Sequence, residues 1–140
     1  MSGIFVSDKD TFTVSVYYSL DGAKLLVRPG SISETEKQSG KFKQVTLTCK
    51  MPSWFDAQLL VRSCTQVSNG RPVVNFSELH GQLLRGLATG WDMKDEDGTT
   101  DLPYSLEQLG KLRPQIARGL VDAVLQKLIE DGVYESIVVS

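Results

Sequence analysis

Between residues 11 and 18 (TFTVSVYY), Phe12, Val14 and Val16 alternate with threonine and serine. A period of two marks a strand with one face buried. Residues 23–28 (AKLLVR) follow the turn-like Asp21-Gly22, so the two runs are predicted to pair as a hairpin. Residues 29–40 (PGSISETEKQSG) are polar, carry glycine at two places and read as a long loop. Alternation resumes over residues 41–50 (KFKQVTLTCK). It places Phe42, Val45, Leu47 and Cys49 mostly on one side, with a bulge expected near Gln44.

The period then changes. Ser53 is a natural N-cap with Asp56 three residues on, and Trp54, Ala57, Leu60, Val61 and Cys64 recur at helical spacing. This predicts a helix through WFDAQLLVRSCTQV, ended by the glycine and proline of SNGRP at 68–72. A second helix is predicted over residues 76–88, capped by Asn75, with Phe76, Leu79, Leu83, Leu84 and Leu87 on its apolar face. Residues 90–103 (GWDMKDEDGTTDLP) read as an acidic turn or hairpin loop between helices. Ser105 with Gln108 opens a short third helix. Pro114 suits the first turn of a last one, lined by Ile116, Leu120, Ala123, Val124 and Leu128 and stopped by Asp131-Gly132. The tail YESIVVS reads as a further strand. The expected architecture is α+β, with N-terminal antiparallel strands followed by a bundle of about four helices. It is expected to be a single domain over residues 1–140. Residues 1–50 would be the strand-rich part, 51–132 the helical part and 133–140 a tail.

Composition narrows the class. The 140 residues carry 15 Lys and Arg against 17 Asp and Glu, a net charge of -2. A nucleic-acid binder would normally show a basic excess, so that class is disfavoured. No run approaches the roughly 20 apolar residues that cross a bilayer, and no apolar signal region follows the N-terminus. Cys49 and Cys64 are expected to be reduced thiols of a cytoplasmic protein.

Reaction chemistry finds little support. The lone histidine, His80, has no partner at metal-ligand spacing, and the two cysteines are not in a CxxC arrangement. The acidic stretch around Asp95, Glu96, Asp97 and Gly98 resembles part of a calcium loop. With Gly98 at position six, however, positions one and twelve fall on Met93 and Tyr104, which cannot serve. No glycine-rich phosphate loop follows a strand. The expectation is a protein without catalytic residues, cofactor or metal. Trp54 and Trp91 sit at helix ends, where they either close the core or contribute to a protein-binding surface. The last helix carries Val121, Leu125 and Ile129 beside its main stripe, a width that suits full burial or a shared interface.

One string of features resembles a known family. MPSWFDAQLLVRSCTQV is followed by NFSELHGQLLRGLATGWDMKDEDGTTDLPYSLEQLGKL and a closing helix. This order is similar to that of the tail assembly chaperones of long-tailed bacteriophages, over about residues 42–129. The most specific stretch is 87–112. There a leucine-rich helix ends in Gly90-Trp91-Asp92, an acidic glycine-centred turn follows, and Leu102-Pro103-Tyr104-Ser105 leads into a short leucine helix.

The resemblance implies a non-enzymatic factor acting in the host cytoplasm. It would hold the long helical tape measure protein soluble until tail tube subunits polymerise around it. A long helix with an exposed apolar face aggregates unless covered, and many modest helix-face contacts allow later displacement. The implied partners are phage tail proteins, the tape measure and the tail tube; self-association is left open, and neither nucleic acid nor membrane is implied. The apolar residues at helix faces or ends, Trp54, Phe55, Leu84, Trp91, Leu120 and Leu125, are the candidate partner contacts, of which two or three are expected to be exposed. The rival reading is a structural virion subunit of the neck, tube end or baseplate, favoured by the N-terminal hairpin, whose unpaired strand edge could extend a neighbour's sheet. A third is a small cytoplasmic regulator unrelated to phage.

Overall fold

The computed structural model describes residues 4–7, 9–94 and 98–134, with Asp21 described by its backbone alone. Its centre is an antiparallel sheet built outward from β1 (Thr11–Asp21). The Asp21-Gly22 turn returns the chain as β2 (Lys24–Pro29), and Gly22 takes the left-handed conformation, φ +62°. The hairpin pairs Tyr18 with Val27 and Leu20 with Leu25. On the other side β3 (Lys43–Lys50) pairs Val14 with Leu47 and Phe12 with Cys49. The alternation therefore places Phe12, Val14, Val16, Val45, Leu47 and Cys49 on one face, and all six are buried. The opposite face carries Thr13, Ser15, Thr46 and Thr48, where the Ser15 and Thr46 hydroxyls lie 3.2 Å apart.

Two elements occupy stretches expected to be loop or helix end. Residues 29–40 contain α1 (Glu34–Ser39), started by a full capping box in which Ser33 and Glu36 satisfy each other's backbone N–H groups. Arg28 holds this helix to β2 through Glu36 at 3.2 Å. Residues 88–91 form β6 (Ala88–Trp91) on the outer side of β3, which completes a four-stranded sheet ordered β2-β1-β3-β6. Asp92 locks the junction, its carboxylate accepting the Thr46 N–H at 2.7 Å.

Between β3 and β6 the chain makes one long excursion. Helix α2 (Trp54–Ser63) comes first and is shorter than predicted. Residues 65–74, expected to be helix end and loop, instead form a second hairpin of β4 (Thr65–Ser68) and β5 (Arg71–Val74). Its turn is Asn69-Gly70, with φ +52° and +75°. That dipeptide favours a two-residue hairpin turn over helix continuation. Helix α3 (Phe76–Leu87) follows with the predicted cap and inner face, and Leu79, Leu83, Leu84 and Leu87 are buried.

The C-terminal part departs from the expected bundle. After the single-turn α4 (Leu106–Leu109), one long helix, α5 (Pro114–Glu130), lies on the buried face of the sheet over β1 and β2. Five helices occur among the described residues, but α5 is the only long one after β6, and no four-helix bundle forms. The breadth of α5's apolar face reflects its burial. Ile116, Leu120, Val121, Ala123, Val124, Leu125 and Leu128 all pack inward. Where helix and sheet approach most closely the helix has Gly119, and a Cβ there would sit 2.8 Å from Val27 Cγ1. Strand, α3 and α5 side chains form one continuous core. The strand predicted within 134–140 lies outside the described residues except for Tyr134, which is buried.

Candidate protein-docking surface

Ser53 positions the exposed aromatic pair of the excursion. Its hydroxyl accepts the Asp56 N–H at 3.1 Å and starts α2 one residue before Trp54. The inward stripe then runs through Ala57, Leu60, Val61 and Cys64, of which Ala57 and Cys64 are buried. Trp54 and Phe55 occupy the first turn, before the stripe reaches the core, and remain 75% and 63% exposed. Leu59, one turn beyond Phe55 on the same helix face, is 47% exposed. Trp54 also forms one wall of a shallow hollow of about 470 Å³, closed by Val61, Thr65, Val133 and Tyr134.

Tyr134 closes this hollow from below. Its hydroxyl donates to the Ala57 carbonyl at 2.7 Å, tying the chain after α5 to α2. Burial, and secondarily the Cys64 thiol, push the Tyr134 phenol up to about 12. It is therefore neutral and a hydrogen-bond donor throughout the physiological range.

The six candidate contacts separate into an exposed pair, a buried trio and one half-buried residue. Trp54 and Phe55 lie together on the surface. Leu84, Leu120 and Leu125 are buried in the core of the monomer, on the inner faces of α3 and α5, and have no surface to offer. Trp91 is half-buried and closes the end of the sheet. Its indole N–H donates to the Leu102 carbonyl at 2.8 Å, and its ring meets Tyr104 edge-on at 5.0 Å. The hairpin arm adds surface that helical spacing concealed, since Val67 is 78% exposed and Val73 half exposed. The Asn69-Gly70 pair between TQVS and RPVV was the available signal.

Cys49 and Cys64 are buried and unbridged, and burial raises the Cys49 thiol to about 12, far from a reactive thiolate. Burial, then the Cys49 charge, also raises the Tyr104 phenol. His80 packs its ring near Phe76 at 6.4 Å, with Nε2 buried and without a protein hydrogen-bond partner. Among the described residues no three His, Cys, Asp or Glu side chains converge as metal ligands; residues 95–97 lie outside that set. Also among the described residues, no helix is long and apolar enough to cross a membrane.

No family model matches the chain. No curated protein and no solved structure is significantly similar to it.

Proposed function

We propose that this chain is a non-enzymatic assembly factor that covers the apolar stripe of a long helical partner, as a tail assembly chaperone does for a tape measure protein. The observation that supports it is the trio Trp54, Phe55 and Leu59, held exposed on a capped helix beside an apolar hollow. Aromatic side chains fixed on a rigid element are the groups through which protein surfaces most often bind. A partner helix laid on this face would place apolar residues three and four apart against them.

The magnitudes suit a temporary grip. Burying three such side chains gains about 1.5–3 kcal/mol each. Association and ordering costs remove much of that sum, leaving dissociation constants on the order of millimolar or weaker per contact site. A ruler bearing several copies would stay covered, yet each copy would be displaceable by polymerising tube subunits.

The test is co-expression with a long helical tape measure protein, scored by the soluble fraction of that partner. Solubility that depends on this chain and is lost in a Trp54→Ser/Phe55→Ser variant is expected. A partner equally soluble without the chain sinks the reading. The hairpin arm favours a second reading, a structural subunit of the particle. Purified particles decide between them, since an assembly factor is absent from mature virions and a subunit is present at fixed stoichiometry.

A further inference from the structure

The chain has two asparagines, Asn69 and Asn75, and the fold treats them in opposite ways. Asn75 caps α3. Its Oδ1 accepts the Glu78 N–H at 3.1 Å, its own N–H bonds the Cys64 carbonyl at 2.8 Å, and the bulky Phe76 follows it. Asn69 stands at the tip of the arm, with φ +52°, and is followed by Gly70 with φ +75°. Both tip residues are exposed. Among the described residues no hydrogen bond holds the Asn69 side-chain amide or the Gly70 N–H. A Cβ built on Gly70 would meet nothing within 4 Å, so its nitrogen is unhindered.

The arm also opens easily. Among the described residues β4 and β5 pair only with each other. Each strand is four residues long, and a two-stranded ladder of that size is marginally stable by itself.

We propose that Asn69-Gly70 is a self-modification site, at which the Gly70 backbone nitrogen attacks the Asn69 side chain and water completes a deamidation. When the tip opens, rotation about the Asn69 Cα–C bond brings the Gly70 nitrogen onto Cγ. That nitrogen gives its proton to a solvent base as the N–Cγ bond forms. The Cγ–Nδ2 bond then breaks, and Nδ2 takes a proton from solvent and leaves as ammonia. A five-membered succinimide remains. Water opens it on either side of the shared nitrogen. Breaking the bond from nitrogen to Cγ gives aspartate at position 69. Breaking the bond from nitrogen to the Asn69 backbone carbonyl carbon gives isoaspartate, whose main chain runs through Cγ. The sum is one water consumed and one ammonia released, with no oxidant, metal or second protein.

The properties that suit this pair to a tight hairpin turn suit it to this chemistry as well. Glycine supplies the left-handed conformation and leaves its nitrogen uncovered. At Asn75 the amide is already engaged and the next nitrogen carries a bulky residue. The consequence falls on the arm. Isoaspartate lengthens the backbone of a turn whose two residues fix the register 66/73, 67/72 and 68/71. β4 and β5 then lose that register, and the exposed Val67 and Val73 are no longer held in place. Either product also adds a negative charge beside Arg71 at the tip.

Mass spectrometry of the whole chain, kept folded at neutral pH and body temperature, tests this. The expected result is a slow gain of about 1 Da, OH for NH2, which maps on digestion to the peptide holding residues 69 and 70. Because so short a hairpin opens often, the native rate should lie no more than about tenfold below that of the chain unfolded in guanidinium. Asn69→Gly keeps a favoured turn pair and removes the amide, so it should abolish the gain. NMR contacts between Gln66 and Val73 should be present in fresh protein and lost in the isoaspartate form. A folded chain of constant mass, under conditions where the unfolded chain gains it, overturns the proposal. So does a gain that persists in Asn69→Gly or maps to Asn75, or an isoaspartate form that keeps the contacts between 66 and 73. None of these measurements involves a helical partner, so they stand or fall separately from the chaperone reading.

Discussion

Gly119→Ala is a sharp test of how α5 seats on the sheet. The residue is fully inside the helix, so alanine gains about 1 kcal/mol of helix propensity over glycine. Against this, the new methyl would lie 2.8 Å from Val27 Cγ1 and 3.5 Å from both γ carbons of Val16. The first distance is well inside contact. Valine is stiff at χ1, and Val16 behind it is fully buried in the centre of the sheet. Overpacking of this kind costs typically 1–3 kcal/mol. With a clash this short the upper half of that range applies, so the net effect is a loss of about 1–2 kcal/mol. At this chain length that is a melting temperature lower by roughly 4–8 °C. Urea unfolding and calorimetry both measure it. The decisive comparison is the same substitution in a Val27→Ala background. With the clashing methyl removed, only the propensity gain remains, and Gly119→Ala should be neutral or stabilising by up to about 1 kcal/mol. If Gly119→Ala stabilises the native protein, or if Val27→Ala leaves its cost unchanged, the helix does not touch the sheet as described.

Three other outcomes are expected. Trp54→Ser/Phe55→Ser should shift stability by no more than about 0.5 kcal/mol, because both side chains are mostly exposed; a large loss in thermal unfolding would place them in the core. Tyr134→Phe removes the bond to the Ala57 carbonyl and should cost about 1 kcal/mol in urea titrations. The folded pKa of this phenol lies above its ordinary value of 10, so its contribution is complete below pH 10 and fades as pH rises from 10 to about 12. The variant should lack that part of the alkaline destabilisation, and an unchanged alkaline limb would contradict the burial assigned to the hydroxyl. Finally, both cysteines should resist a thiol reagent in native buffer and react at rates set by unfolding. Prompt labelling of either would contradict its burial.

The strands and caps of this protein are written locally, and its alternations could be read as such. Phe12, Val14, Val16, Leu47 and Cys49 all point inward as their period of two requires. Ser53, Asn75 and Ser105 each cap a helix at the residue where spacing placed them. What escaped depended on competition or distance. The run Ala57, Leu60, Val61 and Cys64 extends smoothly toward Val67 at helical spacing, yet Asn69-Gly70 draws residues 65–68 into a hairpin. Ser33 and Glu36 form a capping box inside a stretch whose glycines and polarity suggested loop. The strand at 88–91 owes its conformation to Leu47 and Thr48, forty residues earlier, and no local pattern announces it. The bundle failed for the same reason. The wide apolar face of α5 was met by a sheet rather than by other helices. Of the proposed surface, Trp54 and Phe55 were identifiable as apolar residues at a helix start, but Leu84, Leu120 and Leu125 carry the same chemistry in the interior. Only the tertiary packing separates the two groups.

The chain leaves the sheet after Lys50 and rejoins it at Ala88, whose partner in the ladder is Cys49, the residue just before that exit. The doorway between departure and return is therefore one strand spacing wide, about 5 Å. Everything the molecule displays from α2 and the arm is delivered through it as a single parcel. Lengthening the tip at Asn69-Gly70, grafting a peptide there or exchanging the outer residues of α2 leaves the strand pairing on either side of the doorway untouched. The same framework can be refitted for a different client by rewriting one uninterrupted stretch of its gene.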